Sequence, residues 1–223
     1  MKKILLPLAA VVFLASCNNA SEADKAATGE KEAAALAEGV TYSIDSTNST
    51  INWAATKVNG AHNGTFKLTQ GVLAAKDGAL AGGSFTIDIA SINVVDLAAD
   101  TLNKKKLEGH LSSSDFFDVG KYPTAKFEIT AVEPFVYDSI NIKNVVLKNA
   151  THTIKGNLTL RDSTKNVSFP AIVAISDDAV SAEADFNIDR TEWGLNYKGP
   201  NNPADWFIRK EVNLKFKITA AKK

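Results

Sequence analysis

The sequence predicts an all-β fold, an antiparallel eight-stranded barrel with a short helical insertion near residues 98–119. Three observations predict it. From Val40 onward, apolar and polar residues alternate with period two in one run after another. Turn signals separate the runs at short spacing, among them Asn59-Gly60, Lys76-Asp77-Gly78, Asp162-Ser163 and Asp177-Asp178, so that successive strands pair as hairpins. Roughly eight strands of about ten residues suit a closed wall with one apolar face inward and one polar face outward. A two-sheet sandwich has the same pattern and stands as the rival architecture.

The chain opens MKKILLPLAAVVFLASCNNA. Lys2 and Lys3 form a basic head, and Ile4 to Ala15 form an apolar stretch. That stretch is too short to span a ~30 Å hydrocarbon core as a helix, so residues 1–16 read as an export signal. Leu14-Ala15-Ser16-Cys17 resembles the lipobox of bacterial lipoproteins. The resemblance implies cleavage before Cys17, lipid attachment there, and a protein anchored in the bacterial cell envelope. Asn18 after the cysteine favours the outer membrane over the inner by the sorting rule of such proteins. Residues 17–39 are rich in Ala, Glu, Lys and Ser, carry no aromatic side chain, and read as an acylated cysteine followed by a flexible tether. The folded domain is expected over residues 40–221.

Within that domain, Phe66 and Leu68 alternate with Thr65, Lys67 and Thr69, and Phe85, Ile87 and Ile89 alternate with Ser84, Thr86 and Asp88. Residues 98–119 break the rhythm. Leu102 and Leu107 flank three lysines and suit a surface helix, and the segment then runs into Phe116 and Phe117. We read it as an insertion across one mouth of the barrel. Alternation resumes with Ala125, Phe127, Ile129 and Ala131, then with Ile154, Leu158 and Leu160. Val167, Phe169, Val173 and Ile175 share a phase, although Pro170 signals an edge or bulge there. Val180, Ala182, Ala184, Phe186 and Ile188 make an inward face of unusually small residues, and Val212, Leu214, Phe216, Ile218 and Ala220 close the series.

Composition narrows function by exclusion. The 223 residues carry 25 basic and 25 acidic side chains, a balance that points to neither nucleic acid nor another polyelectrolyte. A single cysteine permits no intramolecular disulfide and no Cys-rich metal site. His62, His110 and His152 lack metal-ligand spacing, and no nucleophile elbow, phosphate loop or dinucleotide fingerprint is present. No cofactor is expected.

Several segments together are similar to the YceI-like family of bacterial periplasmic proteins. They are His62-Asn63-Gly64-Thr65-Phe66, Leu107-Glu108-Gly109-His110 through Phe116-Phe117-Asp118, and Lys121-Tyr122-Pro123-Thr124. Gly156-Asn157-Leu158-Thr159-Leu160 and Ile188-Asp189-Arg190-Thr191-Glu192-Trp193-Gly194 complete the series. The resemblance implies a lipocalin-like barrel with an apolar tunnel that binds, stores or transports a long isoprenoid-type lipid or quinone tail without catalysis. The lining it implies is the inward face of the strands above, namely Phe66, Leu68, Phe85, Ile87, Ile89, Phe127, Ile129, Phe169, Val173, Val180, Ala182, Ala184, Phe186, Ile188 and Phe216, joined by Phe116 and Trp193. His62, His110 and Arg190 are candidate contacts to a polar head. Two alternatives differ in class: an envelope hydrolase using the histidines, and a sandwich that binds protein or glycan on its outer surface. The sequence leaves the oligomeric state open.

Overall fold

The computed structural model describes residues 22–137, 145–199 and 208–222. Two short strands, β1 (Asp24–Lys25) and β2 (Ala27–Glu30), lead into β3 (Val40–Ile44), β4 (Thr50–Lys57), β5 (Gly60–Lys76) and β6 (Ala79–Val94). Helix α1 (Thr101–Ser112) follows, then β7 (Thr124–Pro134), β8 (His152–Leu160), β9 (Ser163–Ile175), β10 (Ala179–Asp189), a 3₁₀ turn (Arg190–Trp193) and β11 (Ile208–Lys222).

Strands β4 to β11 pair in chain order, each antiparallel to the next, and β11 returns to β4 through Leu214↔Trp53 and Phe216↔Ile51. The sheet therefore closes on itself, which excludes the sandwich. Strand β3 prolongs β4 beyond a bend and keeps the same two neighbours, pairing Tyr42 with Leu73 and Ile44 with Ala220. The bend is an Asx turn, in which Asp45 Oδ1 accepts from Thr47 N at 2.9 Å and Asn48 N at 3.1 Å. Counting β3 and β4 as one bent strand gives eight around the wall.

Helix α1 interrupts the barrel where alternation fails. Asp100 caps it, accepting from Asn103 N at 3.1 Å. None of its side chains is buried, and only Leu107 and Leu111 pack partly against the core. Polar contacts anchor it instead: Glu108 Oε1 accepts from Val94 N at 2.9 Å, and Lys104 Nζ donates to Asn93 Oδ1 at 2.7 Å. The helix thus lies over one mouth of the barrel on a thin apolar footing.

The expectation of a flexible tether is overturned from residue 22 onward. β1 runs parallel to β10, with Asp24 opposite Phe186, and β2 runs antiparallel to β9, with Ala27 opposite Ser168. Direct pairing of β9 with β10 covers only Ala171–Ile175 against Val180–Ala184. Beyond it the two strands part, and the leading segment fills the seam. Pro170, which has no N–H to give a ladder, sits where β9 exchanges one partner for the other. Ala26 is buried in the seam and donates its N–H to Asn187 O at 2.9 Å. The chain then straps the outer wall. Asn157 on β8 pairs with the backbone of Glu32, giving Nδ2 to its carbonyl (2.7 Å) and taking its N–H at Oδ1 (3.0 Å), while Ala35 N donates to Ile129 O on β7 at 2.9 Å. Ala, Thr, Gly and Glu gave no core-like period because these contacts are made by the backbone. Cys17 and the leader over residues 1–16 lie outside the described residues.

Candidate functional site

At the helix-covered end, the barrel holds a partly open cavity of about 100 Å³. Its wall is drawn from six of the eight wall strands: Ile51, Trp53 and Ala55 on β4, Phe66 on β5, Ile87, Ile89 and Ile92 on β6, Leu158 and Leu160 on β8, Ile188 on β10, and Ile208, Val212, Leu214 and Phe216 on β11. Leu111, Phe116, Phe117 and Leu195 cover it. Phe117 stands edge-on to Phe66 with ring centroids 5.7 Å apart, so the cover grips the wall by aromatic contact. Among the described residues, no nitrogen or oxygen atom is exposed to the cavity, and Arg190 contributes only carbon to it. Trp53 lies flat against β5 because residue 64 is glycine; a Cβ there would stand 2.7 Å from the indole ring.

A second cavity, of about 30 Å³, lies toward the other end. Phe85, Phe127, Ile129, Phe169, Ala171, Ala182, Ala184 and Phe216 border it together with Leu73, Leu80, Ile154 and Ile218. The small residues of β10 therefore leave space, but less than an open tunnel would need. Between the two cavities the lumen is crossed by phenyl rings. Phe85 stacks on Phe127 at 5.2 Å, Phe169 stacks on Phe186 at 3.9 Å, and Phe216 stands edge-on to all four.

Among the residues expected to form the lining, Phe66, Ile87, Ile89, Phe116, Ile188 and Phe216 border the larger cavity, and Phe85, Phe127, Ile129, Phe169, Ala182 and Ala184 border the smaller. Leu68, Val173, Val180, Phe186 and Trp193 are buried but border neither. Trp193 is a structural post, its indole N–H donating to Leu158 O at 2.8 Å. Sequence reasoning passed over Ile51, Trp53 and Ala55, although their alternation was legible. Leu195 gave no signal because it falls outside any period-two run.

The candidate head contacts are engaged elsewhere. Arg190 is buried and gathers backbone carbonyls: Nε donates to Arg209 O at 3.2 Å, Nη2 to Tyr197 O at 3.1 Å and Ile208 O at 3.2 Å, and Nη1 to Leu195 O. Burial lowers its pKa from the ordinary arginine value, against the opposing pull of the Asp189 charge. The arginine thus pins the segment after the 3₁₀ turn to the start of β11. His62 Nδ1 lies 2.8 Å from Asp96 Oδ2, whose other oxygen accepts from Asn63 N at 2.9 Å. Partial burial pushes the Asp96 carboxyl up, but the Asn63 N–H and His62 outweigh it and hold its pKa below the usual aspartate value. His110 Nε2 lies 3.0 Å from Asp115 Oδ2, and its ring stands edge-on to Phe116 and Tyr197 at 5.2 and 4.7 Å. That contact ties the helical cover to the segment held by Arg190. His152 pairs with Thr151 at the start of β8. The three histidines thus stand on separate elements with separate partners, and among the described residues no cluster of His, Cys, Asp or Glu could hold a metal ion.

The model of the YceI-like domain matches residues 42–220. Two UPF0312 proteins of Pseudomonas putida, from strains W619 and GB-1, are 37% and 36% identical over 95 residues, covering 40% of this chain. The aligned stretch spans 43% of the length of those curated relatives, less than half. Among solved structures, Burkholderia cenocepacia BcnA superposes with a TM-score of 0.60 at 22% identity, covering 79% of this chain and 99% of that one. A polyisoprenoid binding domain from Saccharophagus degradans, implicated in plant cell wall breakdown, superposes at 0.58 with 16% identity, covering 82% and 99%. Those structures share the fold, and the match across nearly all of the barrel shows that this chain belongs to the YceI-like domain family.

Proposed function

We propose that this barrel binds the hydrocarbon tail of an isoprenoid-type lipid and performs no chemistry on it. One observation carries the reading: the larger cavity lies between the barrel wall and a thinly anchored helical cover, and its described lining offers a ligand nothing but carbon. A polar head has no partner inside, so the tail enters and the head stays at the mouth. Each buried CH₂ contributes about 0.8 kcal/mol, so a five-carbon prenyl unit supplies about 4 kcal/mol before ordering costs. The polyisoprenoid binding domain of the same fold supports the choice of tail.

The export-type leader and the lipobox-like Leu14-Ala15-Ser16-Cys17 support a membrane setting for this activity. We infer an acylated Cys17 that anchors the barrel in the bacterial envelope, in the outer membrane rather than the inner. Two or more acyl chains hold a protein firmly where one would not. Mass spectrometry tests both parts on protein purified without detergent. The organic extract is expected to contain a prenyl-chain lipid, and the intact chain to carry acyl mass that Cys17→Ala removes. An extract free of lipid, from protein that also fails to take up added prenols, would refute the binding reading.

A further inference from the structure

We infer that Phe216 is a length stop, setting how long a tail the barrel accepts; this rests on the lipid reading above. Among the described residues, Phe216 alone borders both cavities. Its ring meets four others edge-on: Phe85 at 5.8 Å, Phe127 at 6.0 Å, Phe169 at 6.3 Å and Phe186 at 5.3 Å. Those four form two stacked pairs carried by β6 and β7 and by β9 and β10, so rings from five strands close the lumen at one level.

Volumes make the partition decisive. A dry apolar cavity of about 150 Å³ admits benzene, a six-carbon ring. A cavity of about 100 Å³ therefore holds about one five-carbon prenyl unit, and the chamber of about 30 Å³ beyond the rings holds none by itself. A longer tail must either leave its remainder outside the mouth or pass the plane of rings. Packed cores resist such displacement, because every ring in the plane would lose its neighbours. Removing the Phe216 ring alone frees a benzene-sized space and joins the two chambers. The small side chains Ala171, Ala182 and Ala184 then line a continuation of the lumen rather than a dead end.

The test is a titration of the purified protein with prenols of 5, 10, 15 and 20 carbons. It is followed by tryptophan fluorescence, since Trp53 borders the larger cavity. For the parent, affinity is expected to level off at 5 carbons, with little gain from the longer prenols. In Phe216→Ala affinity is expected to keep rising to the 15-carbon prenol, which binds roughly tenfold more tightly than it does to the parent. Should Phe216→Ala fail to fold, Phe216→Leu carries the same expectation with a smaller gain. A plateau at the same chain length in parent and variant would overturn the inference while leaving the lipid reading intact. Failure of every prenol to bind either protein would overturn the lipid reading and this one with it.

Discussion

At the scale of single residues, the interior is shaped as much by missing side chains as by large ones. Phe127 lies across β8 because residue 156 is glycine; a Cβ there would stand 2.2 Å from the Phe127 ring. Gly156→Ala must therefore displace that ring and disturb its stack on Phe85. We expect a loss of about 1–3 kcal/mol, the usual cost of overpacking, measured by urea denaturation. Gly29→Ala is the matched control, since no atom lies within 4 Å of its Cβ position, and its change should stay within about 0.5 kcal/mol. The inward phase of Phe85, Phe127, Phe169, Phe186 and Phe216 was legible in the sequence. Their convergence on one level was not, because it depends on strand stagger, and the register shifts between β5 and β6 and between β7 and β8 leave no mark in side-chain alternation. Arg190 is a similar case. Its charge suggested a ligand head, yet its donors go to main-chain carbonyls, which carry no residue-type signal.

At the scale of elements, the helix and the leading strands differ in how visible they were. The insertion announced itself by breaking a strong period, and α1 formed within the expected limits. The strap made no such announcement. Apart from the buried Ala26, its largely exposed side chains leave its hold to main-chain pairing and to a few polar side chains, of which Asn157 is the most buried. That amide imitates a strand partner for Glu32 and also accepts from Asn166 at 3.2 Å. Asn157→Ala leaves these groups without their partner, at about 1–3 kcal/mol. Because the loss falls on the strap, amide exchange at Glu32 and Ala35 should quicken by about tenfold or more, with a smaller effect in β5 and β6. Uniform acceleration across the barrel would show that the strap and the wall open as one unit.

At the scale of the whole molecule, closure removes the free edges that an open sheet would present to its neighbours. The number of strands and their hairpin order followed from turn spacing, so the architecture was largely legible in the sequence. The state of the lumen was not. Small residues on β10 suggested room, and the structure gives them room only beyond a plane of phenyl rings. The seam between β9 and β10 is filled by residues ahead of the family match, which begins at Tyr42, whereas the strands in the seam begin at Asp24. A chain beginning at Val40 would bare main-chain groups along Lys165–Ser168 and at Phe186–Asn187. Size-exclusion chromatography should show that shortened chain associating more than the full one. The same dependence governs where foreign sequence can be attached. A purification handle or reporter joined directly ahead of Val40 would displace a stave of the cask, so any such addition belongs upstream of Asp24.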